Sequence, residues 1–268
     1  MPHISATRYA VASCHVERPL DDRAWAGFSR LQAARPGGFR IAALMRPPDP
    51  SAGEDASRWL ERARAAATRG PLGHHTHWTS PTHARPTGGD PGERVRQEGE
   101  WLREQGLHPT LFCGGGWYMD ESVASAVAAL GYADCTATSF RPSYLEAGAP
   151  RLALGAPGRL ALGDGRELLE LPTTHSLGMA ARAAVGLRAP TESVVHVYFH
   201  DTDLLDRRRA LALRLALELL GRRRTVIDLD GLARLSREAA PLAVFAPERR
   251  DVPVENLVVA LRQDAPVE

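Results

Sequence analysis

The 268-residue chain carries 33 basic and 32 acidic side chains, a formal net charge of +1, so no long-range field draws it to nucleic acid or to an anionic membrane surface. Every basic side chain is Arg, and without Lys there is no Schiff-base chemistry. Cys14, Cys113 and Cys135 are odd in number and widely spaced, unlike a disulfide framework; the start Met-Pro-His-Ile lacks a signal pattern, and no apolar run nears the roughly 18 residues of a membrane span, so a cytoplasmic, reducing location is expected.

Tyr9 to Glu17 reads as a first strand, stopped by Pro19, and Asp21 or Asp22 caps a helix bearing Trp25, Phe28 and Leu31. Phe39 to Met45 is a second strand and 54–69 an Ala/Arg-rich helix. Pro71 to His77 is the third strand, followed by a loop to Pro91 and a helix from Glu93 to Gln105 that Gly106 ends. Thr110 to Cys113 is a short strand breaking into Gly114-Gly115-Gly116, whose spacing suits a tight turn better than a phosphate cradle. A helix from Glu121 to Leu130 and a strand from Ala133 to Thr138 follow, then short hairpin strands within Leu152 to Leu162 and a strand from Glu167 to Thr174. Ser193 to His200 is rich in Val, Tyr and Phe and reads as the clearest strand. A Leu-rich helix from Asp206 to Leu220, a strand from Thr225 to Leu229 and a helix from Gly231 to Arg237 complete the alternation. Some seven strand–helix units predict a parallel α/β fold, a barrel rather than an open sheet, over 1–238, with 239–268 a Pro-rich tail or edge element.

In such folds sites gather at the carboxyl ends of strands. The strand ends here carry His15 and Glu17, then His75 and His77, Cys113, Asp134, His175, and finally His200 with Asp201 and Asp203. The segment Gly73 to His83 alone holds four of the ten histidines. In extended chain His75 and His77 share one face and His74 takes the other, while His83 lies beyond a Pro turn and could fold back. A carboxylate and two imidazoles suit a divalent ion with open positions. The expected ligands are Glu17, His75 and His77, with His83 in reserve. His15 is the expected base and His200 the acid, with Asp201 or a nearby carboxylate setting its tautomer; Asp203 and Asp206 are expected to cap the following helix. Zinc is the first choice of metal, with cobalt, nickel or manganese as alternatives.

Six segments together resemble the polysaccharide deacetylase family, also called the NodB-homology or carbohydrate esterase family 4 group. Ser13-Cys14-His15-Val16-Glu17 is similar to its first strand-end motif and Leu72-Gly73-His74-His75-Thr76 to its second. Phe112 to Tyr118 sits where the third belongs, Leu130-Gly131-Tyr132-Ala133-Asp134-Cys135 is similar to the segment after the next helix, and Leu169 to Thr174 with Val197-Tyr198-Phe199-His200-Asp201 resembles the closing motifs. The resemblance implies a distorted (β/α)7 barrel and a metal-dependent deacetylase of N- or O-acylated sugars. Three positions depart from the pattern: His15 stands where the base Asp belongs, Thr79 stands where the second ligand His belongs, and the third-motif Arg is absent around Cys113.

The expected function is therefore a metal-dependent amide or ester hydrolase of a small saccharide, with Trp78, Trp117, Tyr118 and His175 on the substrate side. The alternatives are a catalytically altered barrel that binds a saccharide or protein, and a C–N hydrolase of a non-sugar amide. Nothing in the sequence fixes an oligomeric state.

Overall fold

A computed structural model describes residues 7–80, 82–143, 145, 151–186, 190–240 and 242–244. Its strands are β1 (Tyr9–Val16), β2 (Ala42–Met45), β3 (Leu72–Thr76), β4 (Leu111–Gly114), β5 (Ala133–Asp134), β6 (Gly158–Ala161), β7 (Glu167–Glu170), β8 (His175–Ser176), β9 (Val194–His200), β10 (Thr225–Val226) and β11 (Leu242–Val244). Its helices are α1 (Asp22–Ala34), α2 (Ala56–Ala67), α3 (Pro91–Glu104), α4 (Glu121–Ala129), α5 (Leu177–Ala184), α6 (Arg207–Gly221) and α7 (Leu229–Ala239).

The strands form one sheet in the order β11-β6-β7-β5-β4-β3-β2-β1-β9-β8, with β10 beside the start of β1. The pairings are parallel apart from the β6–β7 hairpin. One segment closes the sheet on itself. Glu170 pairs with Asp134 of β5, Thr173 bridges Thr138, and a few residues later His175 pairs with Val197 of β9. The chain 167–176 thus stands between β5 and β9 as the last stave of a distorted seven-strand barrel, the (β/α)7 fold expected.

Alternation along the strands sorts side chains between two cores. On β1, Ala10, Ala12, Cys14 and Val16 face outward with Phe28, Trp59 and Leu217 under the helices, whereas Val11 lies in the inner cluster with Leu44, Cys113, Trp117 and Tyr198. Phe28, Phe39 and Trp59 are each at most 1 % exposed. Burial of each such side chain contributes about 1.5–3 kcal/mol. The inner face carries the polar set, since Ser13, His15 and then Glu17 follow Val11 at intervals of two.

Local signals set the element ends. Asp21, Asp55, Asp90, Asp120, Ser176, Asp206 and Asp228 each cap the helix that follows through a side-chain oxygen. Three expectations need correction. The strand expected over Ala133 to Thr138 pairs regularly only at Ala133–Asp134, because its later residues bond through single bridges and side chains. The hairpin expected within 152–162 forms instead between β6 and β7, around Asp164 and Gly165. Helix α5 was not foreseen: it is short, four of its eight residues are Ala, and it opens on Ser176 as its cap. Residues 242–244 pair with β6 at the sheet edge, and 245–268 of the expected tail lie outside the described residues.

Candidate functional site

The inward face of the barrel gathers four titratable residues at the carboxyl ends of β1, β3 and β9, with β2 between the first two. Glu17 Oε1 lies 3.7 Å from His75 Nε2, 3.5 Å from His77 Nε2 and 3.5 Å from His200 Nε2. Register explains the convergence. His15 of β1 pairs with Leu44 on one side and with His200 on the other, and His75 of β3 pairs with Cys113. His74, between the two inward positions of β3, points outward and bonds Glu98 of α3.

His75 is oriented by its backbone neighbour. Its Nδ1–H donates to the carbonyl of Cys113 at 2.8 Å, so the neutral ring presents the Nε2 lone pair toward Glu17. That nitrogen is buried and makes no hydrogen bond. A carboxylate and an imidazole lone pair facing each other across 3.7 Å call for a cation between them. The donor atoms of Glu17, His75 and His77 all lie within 4.8 Å of one another, as do those of His15, Glu17 and His200. The residues present therefore fit a divalent ion bound by one carboxylate and two imidazoles.

His15 sits beneath this group. Its ring centroid is 4.7 Å from that of His75 and 5.2 Å from those of Trp117 and Tyr198, and its Nε2 is 3.6 Å from Cys113 Sγ. Burial, reinforced by His75 and His200, pushes its pKa well below the ordinary value and keeps the ring neutral. His200 moves the other way. Burial lowers it, but Asp203 and Glu17 together raise it. Of the partners expected, Asp201 or a nearby carboxylate, it is the nearby Asp203 that stands beside the ring. Asp203 Oδ2 lies 3.8 Å from His200 Nδ1 and also accepts the His200 backbone N–H at 2.9 Å. The chain turns into a 3-10 helix at Asp201–Leu205, and that turn swings the third residue on back to the ring. Asp201 is fully buried, accepts the Arg18 N–H at 2.9 Å, and is pushed up to about 6 by burial. Asp206, not Asp203, is the cap of α6.

A cavity of about 470 Å³ opens onto these groups, lined by His15, Glu17, His75, Arg85, Trp117 and His200, among others. Trp117 is placed there by the glycine turn before it. A Cβ on Gly114 would come within 2.2 Å of the Tyr118 carbonyl, and Gly116 has φ +58°, so side chains are excluded at both. Trp117 itself takes φ +57°, an uncommon conformation for a bulky residue, held by its packing against His15 and Tyr198.

The other expected site residues lie elsewhere. His83 reaches the mouth of the cavity but is exposed, and its Nδ1 bonds the hydroxyls of Ser80 and Thr82 rather than joining the ligand group. Trp78 is buried in the outer core with its indole N–H on the Gly115 carbonyl, because it follows His77 on the opposite face. Tyr118 packs on Trp78 and donates to Asp120, outside the cavity lining. His175 is buried beside β9 and shares a hydrogen bond with Thr174 Oγ1. One cavity residue was not foreseen: Arg85 comes from the loop after β3 and donates to the Gly116 carbonyl at 2.6 Å. Cys113, expected at a strand end, places its thiol beside His15 behind the lining. No sequence pattern marks Arg85, whereas Cys113 stands at a strand end.

No protein-family profile matches the chain, and no curated protein matches it. Among solved structures the chain is similar to 4-alpha-glucanotransferase from Thermococcus litoralis, with a TM-score of 0.58 at 12% identity over 90% of this chain and 42% of that one. That likeness is one of fold, and the chain spans less than half the length of that enzyme. A family 4 carbohydrate esterase from Streptomyces lividans in complex with acetate aligns at a TM-score of 0.42 and 11% identity, covering 83% of this chain and 90% of that one. A putative polysaccharide deacetylase involved in O-antigen biosynthesis from Bordetella bronchiseptica aligns at 0.44 and 14%, covering 80% and 89%.

Proposed function

We propose that the chain is a metal-dependent hydrolase that removes an acyl group from the nitrogen or oxygen of a small acylated sugar. The observation that carries this reading is Glu17 Oε1 within 3.7 Å of the Nε2 atoms of three histidines from β3, the segment after it and β9. Glu17, His75 and His77 are the proposed ligands, with zinc the first choice. A divalent ion there supplies Lewis-acid polarisation of the acyl oxygen and a lower pKa for water.

The chain's own groups divide the proton work. His15, neutral in its buried seat, accepts the proton of the attacking water as oxygen adds to the acyl carbon. His200, its pKa raised by Asp203, carries the proton that the leaving amine or alkoxide needs when the carbon–heteroatom bond breaks. Trp117 forms one apolar wall, placed over His15 by the glycine turn.

The test is metal content by elemental mass spectrometry on protein purified without a metal-affinity tag, beside Glu17→Ala and His75→Ala, followed by a screen of N- and O-acetylated sugars. About one equivalent in the wild type, lost in both variants, with acetate released from one of the sugars, is the expected result. No metal after incubation with zinc, cobalt, nickel and manganese would sink the reading and move the assignment to a saccharide-binding barrel.

A further inference from the structure

Beside the candidate site lies a second cavity, of about 510 Å³. The two share one wall, because His200 lines both. This second space is bounded by the first turn of α5 (Ser176, Leu177, Gly178), by Tyr198 and by Asp203, Arg208 and Arg209 at the start of α6. A Cβ built on Gly178 would meet no atom within 4 Å, so that wall is open.

The charges on the walls do not cancel. Arg209 gives one N–H to Asp203 Oδ1 at 2.8 Å and keeps the rest of its guanidinium. Asp206 uses its side chain on the backbone N–H groups of Arg208 and Arg209. The Arg208 guanidinium makes no hydrogen bond or ion pair among the described residues. The cavity therefore presents two guanidinium groups against one carboxylate that Arg209 already neutralises. Arginine forks match the paired oxygens of phosphate or carboxylate. The cavity's volume, about 510 Å³, falls in the range of small-molecule sites.

We propose that this cavity seats an anionic group of the substrate, a phosphate ester or a carboxylate, held by Arg208 and Arg209 while the acyl group lies across His200. The substrate is then an acylated sugar that carries a negative charge, not a neutral one. The assignment rests on the hydrolase reading for its place in catalysis, but the anion seat is measurable without turnover.

The experiment is calorimetric titration of metal-free protein, so that no ion competes for the ligand. The probes are inorganic phosphate, N-acetylglucosamine, its 1-phosphate and the corresponding uronic acid, each tested on wild type, Arg208→Ala, Arg208→Lys and Arg209→Ala. The anionic probes are expected to bind the wild type, and Arg208→Ala to weaken them roughly tenfold or more, with Arg208→Lys in between. The better of the 1-phosphate and the uronic acid names the source of the charge. Neutral sugar binding as tightly as its phosphate, or anion binding unchanged in both alanine variants, overturns the proposal. Arginine-dependent anion binding without turnover by the metal-loaded enzyme keeps the seat and overturns only the hydrolase reading.

Discussion

The two faces of β3 each set histidine against glutamate, and they do it differently. On the outer face His74 Nε2 meets Glu98 at 2.8 Å, and Glu98 also accepts from Thr76 Oγ1 at 2.8 Å and from Arg94 Nε at 2.9 Å. That carboxylate is fully engaged, and its contacts pin α3 to the sheet. On the inner face Glu17 stands 3.5–3.7 Å from His75 and His77, beyond hydrogen-bond length, and the His75 proton has gone to a carbonyl on the other side of the ring. Identical residue types, one position apart, thus make a closed structural contact and an open one. The distance and the fate of the imidazole proton, not the presence of a His–Glu pair, separate a fastener from a binding site.

The sharpest way to break this contrast is to remove each glutamate's partner in turn. His75→Ala should reduce bound metal from about one equivalent to below about a tenth and abolish turnover, since one of the three proposed protein ligands is gone. His200→Gln should leave metal content unchanged and lower kcat about 100-fold or more, the usual size of a lost general acid. Asp203→Asn should cost less, about tenfold in kcat at constant KM, because it acts through the ring it orients. His74→Ala should keep its metal and lose about 3 kcal/mol of unfolding free energy in urea, the cost of breaking one arm of a buried pair and leaving a cavity where the ring was. Metal loss in His74→Ala, or full metal retention in His75→Ala, would show that the two faces do not divide as described.

The smallest effect concerns a third carboxylate pair, deeper in the barrel. Asp134 and Glu170 are register partners on β5 and β7, both fully buried, and three of their four carboxylate oxygens make no hydrogen bond. Burial pushes Asp134 up to about 6 and Glu170 well above the carboxylate range. Raised folded-state values mean that the pair's contribution to stability is complete below about pH 4 and is lost as pH rises through those values. Glu170→Gln should therefore raise Tm by roughly 2–4 °C at pH 8 and do little at pH 4, as read by thermal unfolding. An equal rise at both values would remove the charge explanation.

The outline of this molecule was legible because its signals are local. Alternation put His15 with Glu17 and His75 with His77, and the aspartate caps before α1 and α6 stood at their helix starts. What escaped depends on contacts between distant segments. Trp78, Tyr118 and His175 looked like site residues by position, yet their facing is set by how loops pack, and they lie in the core or outside the cavity. Asp203 was read as a helix cap because spacing alone cannot show a 3-10 turn returning its carboxylate to His200. The joining of β7 to β5 and of β8 to β9, which turns the sheet into a barrel, leaves no pattern in either strand.

The pairing of β1 bears on how the protein is made. Its first residues, Tyr9 and Ala10, take their neighbours from Val194 and Val195 on one side and from Thr225 and Val226 on the other. A chain emerging from the ribosome presents β1 early but leaves these strand edges bare until most of the sequence has been synthesised. The carboxylate of Glu17 acquires its His200 neighbour on the same schedule. The proposed ligands Glu17, His75 and His77 are all synthesised before β9, whereas the fourth member of the group comes late, and prematurely terminated chains ending before β9 expose an apolar strand edge prone to aggregation.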